Sequence, residues 1–222
     1  MTHTLPFAVT ANSLIQDQAG PIIDSDLAYT RKMFEVNVFG RIAITQAFVA
    51  FVTKSKGIIL NIGSIAGVCP QPWKGMYNAS CAAVHLWSDT LRIEMAPFGV
   101  RVLLVRVPLS PLDRFLALTI HRIEYKLMRS QVVTGAVRTN FITNQPSVKL
   151  ANESIYMPAK ESIEAVMNAT AVAKNFIDAD VYARQVVENV LRKSPVKIQW
   201  AGGVANLIRL ASAVLWSTAW VR

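Results

Sequence analysis

Two short apolar runs constrain this chain more than anything else in it. Gly57–Ile62 and Val100–Val105 are nearly free of polar residues and do not alternate. A strand that is apolar on both faces is one covered from both sides, as in a parallel sheet between helix layers. Between the two runs lie a loop, Gly63–Gly75, and a helical stretch, Met76–Ala96, stopped by Pro97-Phe98-Gly99. A β-loop-α-β order of this kind builds a parallel α/β sheet with right-handed crossovers.

The flanks fit around that unit. Residues 1–25 read as irregular, with Pro6, Gly20 and Pro21. Asp24, Ser25 and Asp26 offer caps for a helix running from Leu27 to Thr53, along which Met33, Val36, Phe39, Ile42, Phe48 and Phe51 recur at helical spacing. Downstream, 141–160 reads as loop and 161–174 and 178–193 as helices. Val196–Trp200 reads as a short strand and 204–221 as an apolar helix.

Composition narrows the function classes. The chain has 222 residues, 52% of them hydrophobic, enough for one domain or a piece of one. Its net charge is +9, but the basic residues are scattered and no aromatic–basic interleaving marks a nucleic-acid face. Charged residues are only 17%, so some apolar surface is expected to meet lipid or a partner. Cys69 and Cys81 make no disulfide framework and fit a reducing, cytoplasmic setting. The start lacks the basic and long apolar regions of a secretory signal, so the sequons at Asn78, Asn152 and Asn168 read as chance matches. No metal ligands are assigned.

Ser64 and Tyr77 carry the candidate chemistry. Ser64 follows the exit of the first strand, and Tyr77 falls in the first turn of the next helix. Ligands of open α/β sheets bind at that carboxyl end. A phenol gives a proton to a carbonyl oxygen when its pKa falls toward working pH, and a neighbouring hydroxyl polarises the same oxygen. Taken alone, the pair equally describes an ordinary loop serine and a half-buried tyrosine.

Three blocks decide between these descriptions: FEVNVFG at 34–40, NIGSIAG followed by YNAS at 61–80, and GAVRTN at 135–140. In that order they resemble the short-chain dehydrogenase/reductase family, over roughly 20–105 and 132–205, and most of all its fungal members that reduce 1-acyl-dihydroxyacetone phosphate or serve secondary metabolism. The resemblance implies a Rossmann-like doubly wound sheet binding NADP, with NAD not excluded. It implies a ketone substrate, lipid-like or from secondary metabolism, with Tyr77 as proton donor and Ser64 as polarising hydroxyl. Asn37 matches the family asparagine that holds a water of the proton relay. Val137 and Thr139 match positions contacting the nicotinamide carboxamide, and Asn12, within Ala11-Asn12-Ser13, stands where the family has Asn-Asn-Ala-Gly. It also implies a homodimer paired through the helices at 27–53 and 76–96.

Three departures stand against these matches. The family lysine four residues after the tyrosine, which binds the nicotinamide ribose and lowers the phenol's pKa, is Cys81 here. Bringing a phenol from about 10 to about 7 takes roughly 4 kcal/mol, mostly electrostatic, and a neutral thiol does not supply it. A reactive Cys81 would need a base, and His85 one turn on is the only neighbour of that kind on the helix. The family's Gly-rich turn is absent, so the sheet is expected to be incomplete, lacking its first βα units. Finally, Arg106–Gln131 reads as an irregular insert, ragged enough to resemble translated intron more than a substrate lid. The expectation is a single partial Rossmann-like domain over 1–222.

The tail adds a location. Leu210–Val221 is uncharged but short for a bilayer span, while Trp200, Trp216 and Trp220 with Arg209 and Arg222 suit an interfacial helix. A helix packed on the sheet fits equally well. The interfacial form would put the protein peripherally on endoplasmic reticulum or lipid-droplet membrane. Three readings follow: a reductase with impaired activity, a catalytically dead relative that binds, and an imperfect gene product of an ordinary enzyme.

Overall fold

The computed structural model describes residues 9–12, 17, 19–67, 71–104, 131–134, 137–138, 147–168, 177–190 and 198–201. Five parallel strands form one sheet: β1 (Val9–Asn12), β2 (Ile58–Asn61), β3 (Arg101–Leu104), β4 (Gln131–Thr134) and β7 (Ile198–Ala201), in the order β1-β2-β3-β4-β7. Two further strands, β5 (Val137–Arg138) and β6 (Ile177–Asp178), pair in parallel as a separate ribbon. The helices are α1 (Leu27–Phe34), α2 (Gly40–Ser55), α3 (Gly75–Met95), α4 (Lys160–Met167) and α5 (Ala179–Val190). This is a Rossmann-like α/β fold, as the two apolar runs predict.

The pleat of β2 and β3 explains why those runs do not alternate. Ile58, Leu60 and Leu103 point to one face, where Val186 and Tyr182 of α5 cover them. Ile59 and Val102 point to the other, against Val49 and Val52 of α2 and Leu91 and Met95 of α3. Every position of β2 is buried. Successive side chains of a strand face opposite ways, so helices on both faces require apolar residues at every position.

The long helix begins as expected and then departs from regularity. Asp26 caps α1, its side chain accepting from the Ala28 N–H at 2.7 Å. At Glu35–Phe39 one turn is π-helical, and α2 continues to Ser55, where Lys56 turns left-handed at φ 50°. By length and composition this 29-residue helix could cross a membrane. Its face with Met33, Asn37, Val38, Arg41, Thr45 and Val52 is buried in the fold, while Phe39, Phe48 and Phe51 are exposed.

Several boundaries correct the sequence reading. Residues 9–12, read as irregular, form β1, which pairs in register with β2 from Val9↔Ile58 to Asn12↔Asn61. Four residues carry too little periodicity to announce a strand; the neighbouring ladder specifies it. Gln131, assigned to the insert, is the first residue of β4 and pairs with Leu104 of β3. β3 is described as far as Leu104, and β4 is bonded along its length to β7. The helix drawn over 161–174 ends at Met167, where Asn168 turns back to bond Val148 through both its side-chain oxygen and nitrogen. Residues 106–130 of the insert and the tail 204–221 lie outside the described residues.

Truncating the two-sided core should cost more than truncating the outer helix face. Ile59→Ala is expected to lower unfolding free energy by about 2–5 kcal/mol. Phe51→Ala, at a side chain 66% exposed, should lie within about 0.5 kcal/mol of the parent. Equilibrium urea unfolding of both variants checks the difference.

Candidate active site

The site forms where β2 leaves the sheet. Ile62, Gly63 and Ser64 run from the strand into a short 3-10 turn, Ile65–Gly67. Ser64 is tied into that turn: its Oγ accepts from the Ala66 N–H at 3.1 Å, and its carbonyl from the Gly67 N–H at 3.1 Å. A serine at this position satisfies backbone donors that open a turn, which fixes its hydroxyl. Across the loop, α3 begins at Gly75 and brings Tyr77 inward, only 6% exposed, among Met33, Ala66 and Cys81. The Ser64 side chain acts on the Tyr77 phenol to lower its pKa. The two hydroxyls therefore meet, as the spacing predicts.

Asn37 joins them through a residue that the sequence reading passed over. Its Nδ2 donates to Ser80 Oγ at 3.0 Å, and Ser80 Oγ donates to the Tyr77 carbonyl at 2.8 Å. All three side chains are buried. Asn37 sits in the π-turn, where the Gly40 N–H reaches back to the Glu35 carbonyl. π-turns of this kind collect at functional sites. One turn later Arg41 is 3% exposed and donates from Nη1 to the Ile62 carbonyl at 2.5 Å. Asn61 ends β2 fully buried and donates to Ser88 Oγ at 3.0 Å, pinning the strand end to α3.

The other wall is ionic. Lys74 pairs with Asp17, and its Nζ lies 5.8 Å from the centre of the Tyr77 ring. The loop that carries Lys74 is held by backbone pairing with Gly20 and by Trp73, whose left-handed φ of 63° is uncommon for a bulky residue. The Trp73 indole packs edge-on against Tyr156 at 5.1 Å, joining this loop to the segment before α4.

Electrostatics do not favour proton release. Burial pushes the Tyr77 phenol well above its ordinary value, and the Cys81 thiol adds to the rise; the Ser64 hydrogen bond pulls the other way, and Asp17 raises it further. Burial likewise pushes the Cys81 thiol up to about 11, against lowering by the Tyr77 hydrogen bond and by Arg41. Cys81 is thus a buried neutral thiol, which removes the reading of a reactive nucleophile. Loss of solvation dominates both groups, because few charges enter this pocket.

The remaining candidates fall elsewhere. Val137 is half-buried in the β5–β6 ribbon. Asn12 ends β1 beside Asn61, at the same carboxyl edge of the sheet as Ser64. Thr139 lies outside the described residues. For a nicotinamide cofactor the residues fit at the reacting end, where the hydroxyl pair opens from the strand edge. They do not provide the ribose contact at position 81, where a short neutral thiol stands. Arg41 and Ser80 had one sequence signal each: Arg41 is a lone charge one turn after Asn37, and Ser80 shares the face of Tyr77.

Comparison with known proteins defines the class. Residues 9–109 match the family of short chain dehydrogenases. The chain is 35% identical over 198 residues to the short-chain dehydrogenase fogD of Aspergillus ruber, covering 89% of this chain and 59% of that one. It is 34% identical over 199 residues to virD of Hypocrea virens, covering 89% and 58%. Among solved structures, a short-chain dehydrogenase from Streptomyces avermitilis shares the fold with TM-score 0.65 at 22% identity, over 91% of this chain and 64% of that one. A short chain dehydrogenase from Burkholderia cenocepacia in complex with NADP gives 0.52 at 20% identity, over 91% and 62%. The chain belongs to the short-chain dehydrogenase/reductase family. It spans about three fifths of the length of the curated relatives named here.

Two measurements test this site. Gly67 has no room for a side chain, since a Cβ there would come within 2.5 Å of the His85 ring and 2.9 Å of the Cys81 backbone. Gly67→Ala should therefore destabilise the fold by about 1–3 kcal/mol, read by urea unfolding. The raised Cys81 pKa also sets a sign. The unfolded thiol ionises near 9 while the folded one holds its proton to about 11. Stability is thus full below pH 9 and falls as pH rises toward 11. Cys81→Ala should flatten that fall by on the order of 2 kcal/mol in unfolding measured from pH 8 to 11.

Proposed function

We propose that this chain is the catalytic part of a nicotinamide-dependent ketone reductase of impaired activity that uses NADP, with NAD not excluded. The observation that carries this reading is the placing of Ser64 and the buried Tyr77 together at the carboxyl end of a parallel sheet, where Ser64 lowers the phenol's pKa. The cofactor supplies the hydride. Tyr77 gives its phenolic proton to the ketone oxygen, and Ser64 holds that oxygen by a hydrogen bond as charge develops on it. Asn37, through Ser80, fixes the first turn of α3 and with it the direction of the phenol. Val137, Thr139 and Asn12 are assigned to the cofactor side.

The substrate is proposed to be a lipid-like or secondary-metabolite ketone, on the resemblance to fungal acyl-dihydroxyacetone phosphate reductases and the fungal relatives found. The tail 204–221 would then rest on a membrane interface, giving a cytoplasmic protein peripheral to endoplasmic reticulum or lipid droplet. The exposed faces of α2 and α3, with Phe48, Phe51, Leu86 and Ile93, support pairing of two copies. The chain is read as a single partial domain with 106–130 inserted between β3 and β4.

A second reading is favoured by one specific observation. Tyr77 is held protonated by burial beside a neutral Cys81, as in a family member that binds without turnover. NADPH fluorescence and a ketone-dependent loss of absorbance at 340 nm separate the two. The reductase reading expects NADPH binding, slow turnover, and a fall of about 10²–10⁴-fold in rate for Tyr77→Phe with binding retained. Binding with no turnover by the parent chain supports the binding protein. Absence of NADPH binding overturns both.

A further inference from the structure

We propose that Arg41 is the cation of this site, supplying from α2 the positive charge toward the Tyr77 hydroxyl that residue 81 of α3 does not carry. The role rests on Tyr77 as the proton donor. After proton transfer Tyr77 is a phenolate, and a buried phenolate needs a nearby positive charge or hydrogen-bond donors to persist.

The geometry places Arg41 for this. Asn37 and Arg41 lie one turn apart on the same helix, and Tyr77, Ser80, Cys81 and Val84 form the facing stripe of α3. A small cavity between the two stripes is lined by Asn37, Arg41, Ser80, Cys81, Val84 and the strand exit Ile62-Gly63. The guanidinium enters this space almost without exposure and is anchored on the Ile62 carbonyl, two residues before Ser64. Arg41 thus holds the strand exit that carries Ser64 and also brings charge to the side of Tyr77 where Cys81 sits.

The other charged and titratable groups around the phenol do not replace it. Lys74 is paired with Asp17 on the opposite wall, and the Asp17 carboxylate works against a phenolate. His85 stands one turn beyond Cys81 against Gly67. Burial lowers the Arg41 pKa while Cys81 and Tyr77 raise it, and Arg41 in turn lowers the Cys81 thiol, in keeping with the cavity that the two side chains share. Guanidinium remains charged where an ammonium would lose its proton on burial, so an arginine suits a dry site. A lysine at position 81 would place a second cation in the same cavity, so the two positions are expected to be mutually exclusive sites for charge.

The test reads that exclusion without needing turnover. In the full chain, Cys81→Lys, Arg41→Met, their double variant and Arg41→Lys are compared by thermal unfolding. The Cys81 thiolate is titrated by its absorbance near 240 nm, with Cys81→Ser as the blank. Cys81→Lys alone should lower Tm by about 4 °C or more, and the same change in the Arg41→Met background should cost less than half of that. The thiol, at about 11 in the parent, should titrate about one pH unit higher in Arg41→Met, and Arg41→Lys should not restore it, because a buried ammonium gives up its proton before the thiol does. A purely structural clip on Ile62 predicts additive Tm losses and an unmoved thiol; either result overturns the proposal. If Arg41→Met does not fold, Cys81→Lys is compared with Cys81→Ala, the uncharged change at the same position: a Tm loss in Cys81→Lys no larger than in Cys81→Ala overturns it. NADPH binding measured on the same samples keeps the outcomes apart, since coupling without NADPH binding sinks the reductase reading, and binding without coupling sinks the role of Arg41.

Discussion

The contact between the long helix and α3 is what the rest of this molecule depends on. Both helices cover one face of β2 and β3, and their shared seam continues past the strand ends into the site. Along it the packing changes from Val52, Ile59, Met95 and Val102 to Asn37, Arg41, Ser80 and Cys81. Buried polar groups need partners, and here each partner belongs to a different element: Asn37 to Ser80, Arg41 to Ile62, Asn61 to Ser88. These three bonds lock helix to helix, helix to strand exit and strand end to helix. Moving any of the three elements would expose unsatisfied donors as well as apolar surface, so the position of Ser64 relative to Tyr77 follows from the core itself.

The same dryness that fixes the geometry works against the chemistry. Tyr77 and Cys81 are both held neutral chiefly because water is excluded, and among the described residues charge comes to the pocket from Arg41 on one side and the Asp17–Lys74 pair on the other. A site of this family needs a phenol that both gives up a proton and regains it. Preorganised charge in a dry pocket is worth more than in water, so the placing of one guanidinium has large leverage. Cys81 itself brings no charge to the cavity between the helix stripes, so Arg41 is the charged group among the residues that line it.

The sheet shows a second compromise. In the order β1-β2-β3-β4-β7, β3 gives its length to β2 while β4 gives its length to β7, and the two meet at the single pair Leu104↔Gln131. The pair Leu104↔Gln131 lies at the carboxyl end of β3, the same edge that carries Ser64. Thr134 and Val137, on the far side of that break, lead into the β5–β6 ribbon.

Much of this was legible in the residues. Two apolar runs separated by a helix require a covered parallel sheet, because strand pleating exposes both faces. A serine at a strand exit and a tyrosine one loop later must meet if that helix packs back, and Cys81 shares the face of Tyr77 by helical period alone. What sequence could not contain was the identity of facing residues. Val9–Asn12 became a strand only because β2 offered a ladder, and Gln131 joined β4 only because Leu104 and Ile198 were in register. Periodicity places Arg41 on the Asn37 face of its helix, but only the packing of α2 on α3 sets it opposite Cys81. Local spacing fixes which residues share a face; the meeting of two faces belongs to tertiary structure, since it depends on contacts 20 to 60 residues apart, such as Arg41 with Ile62 and Asn37 with Ser80.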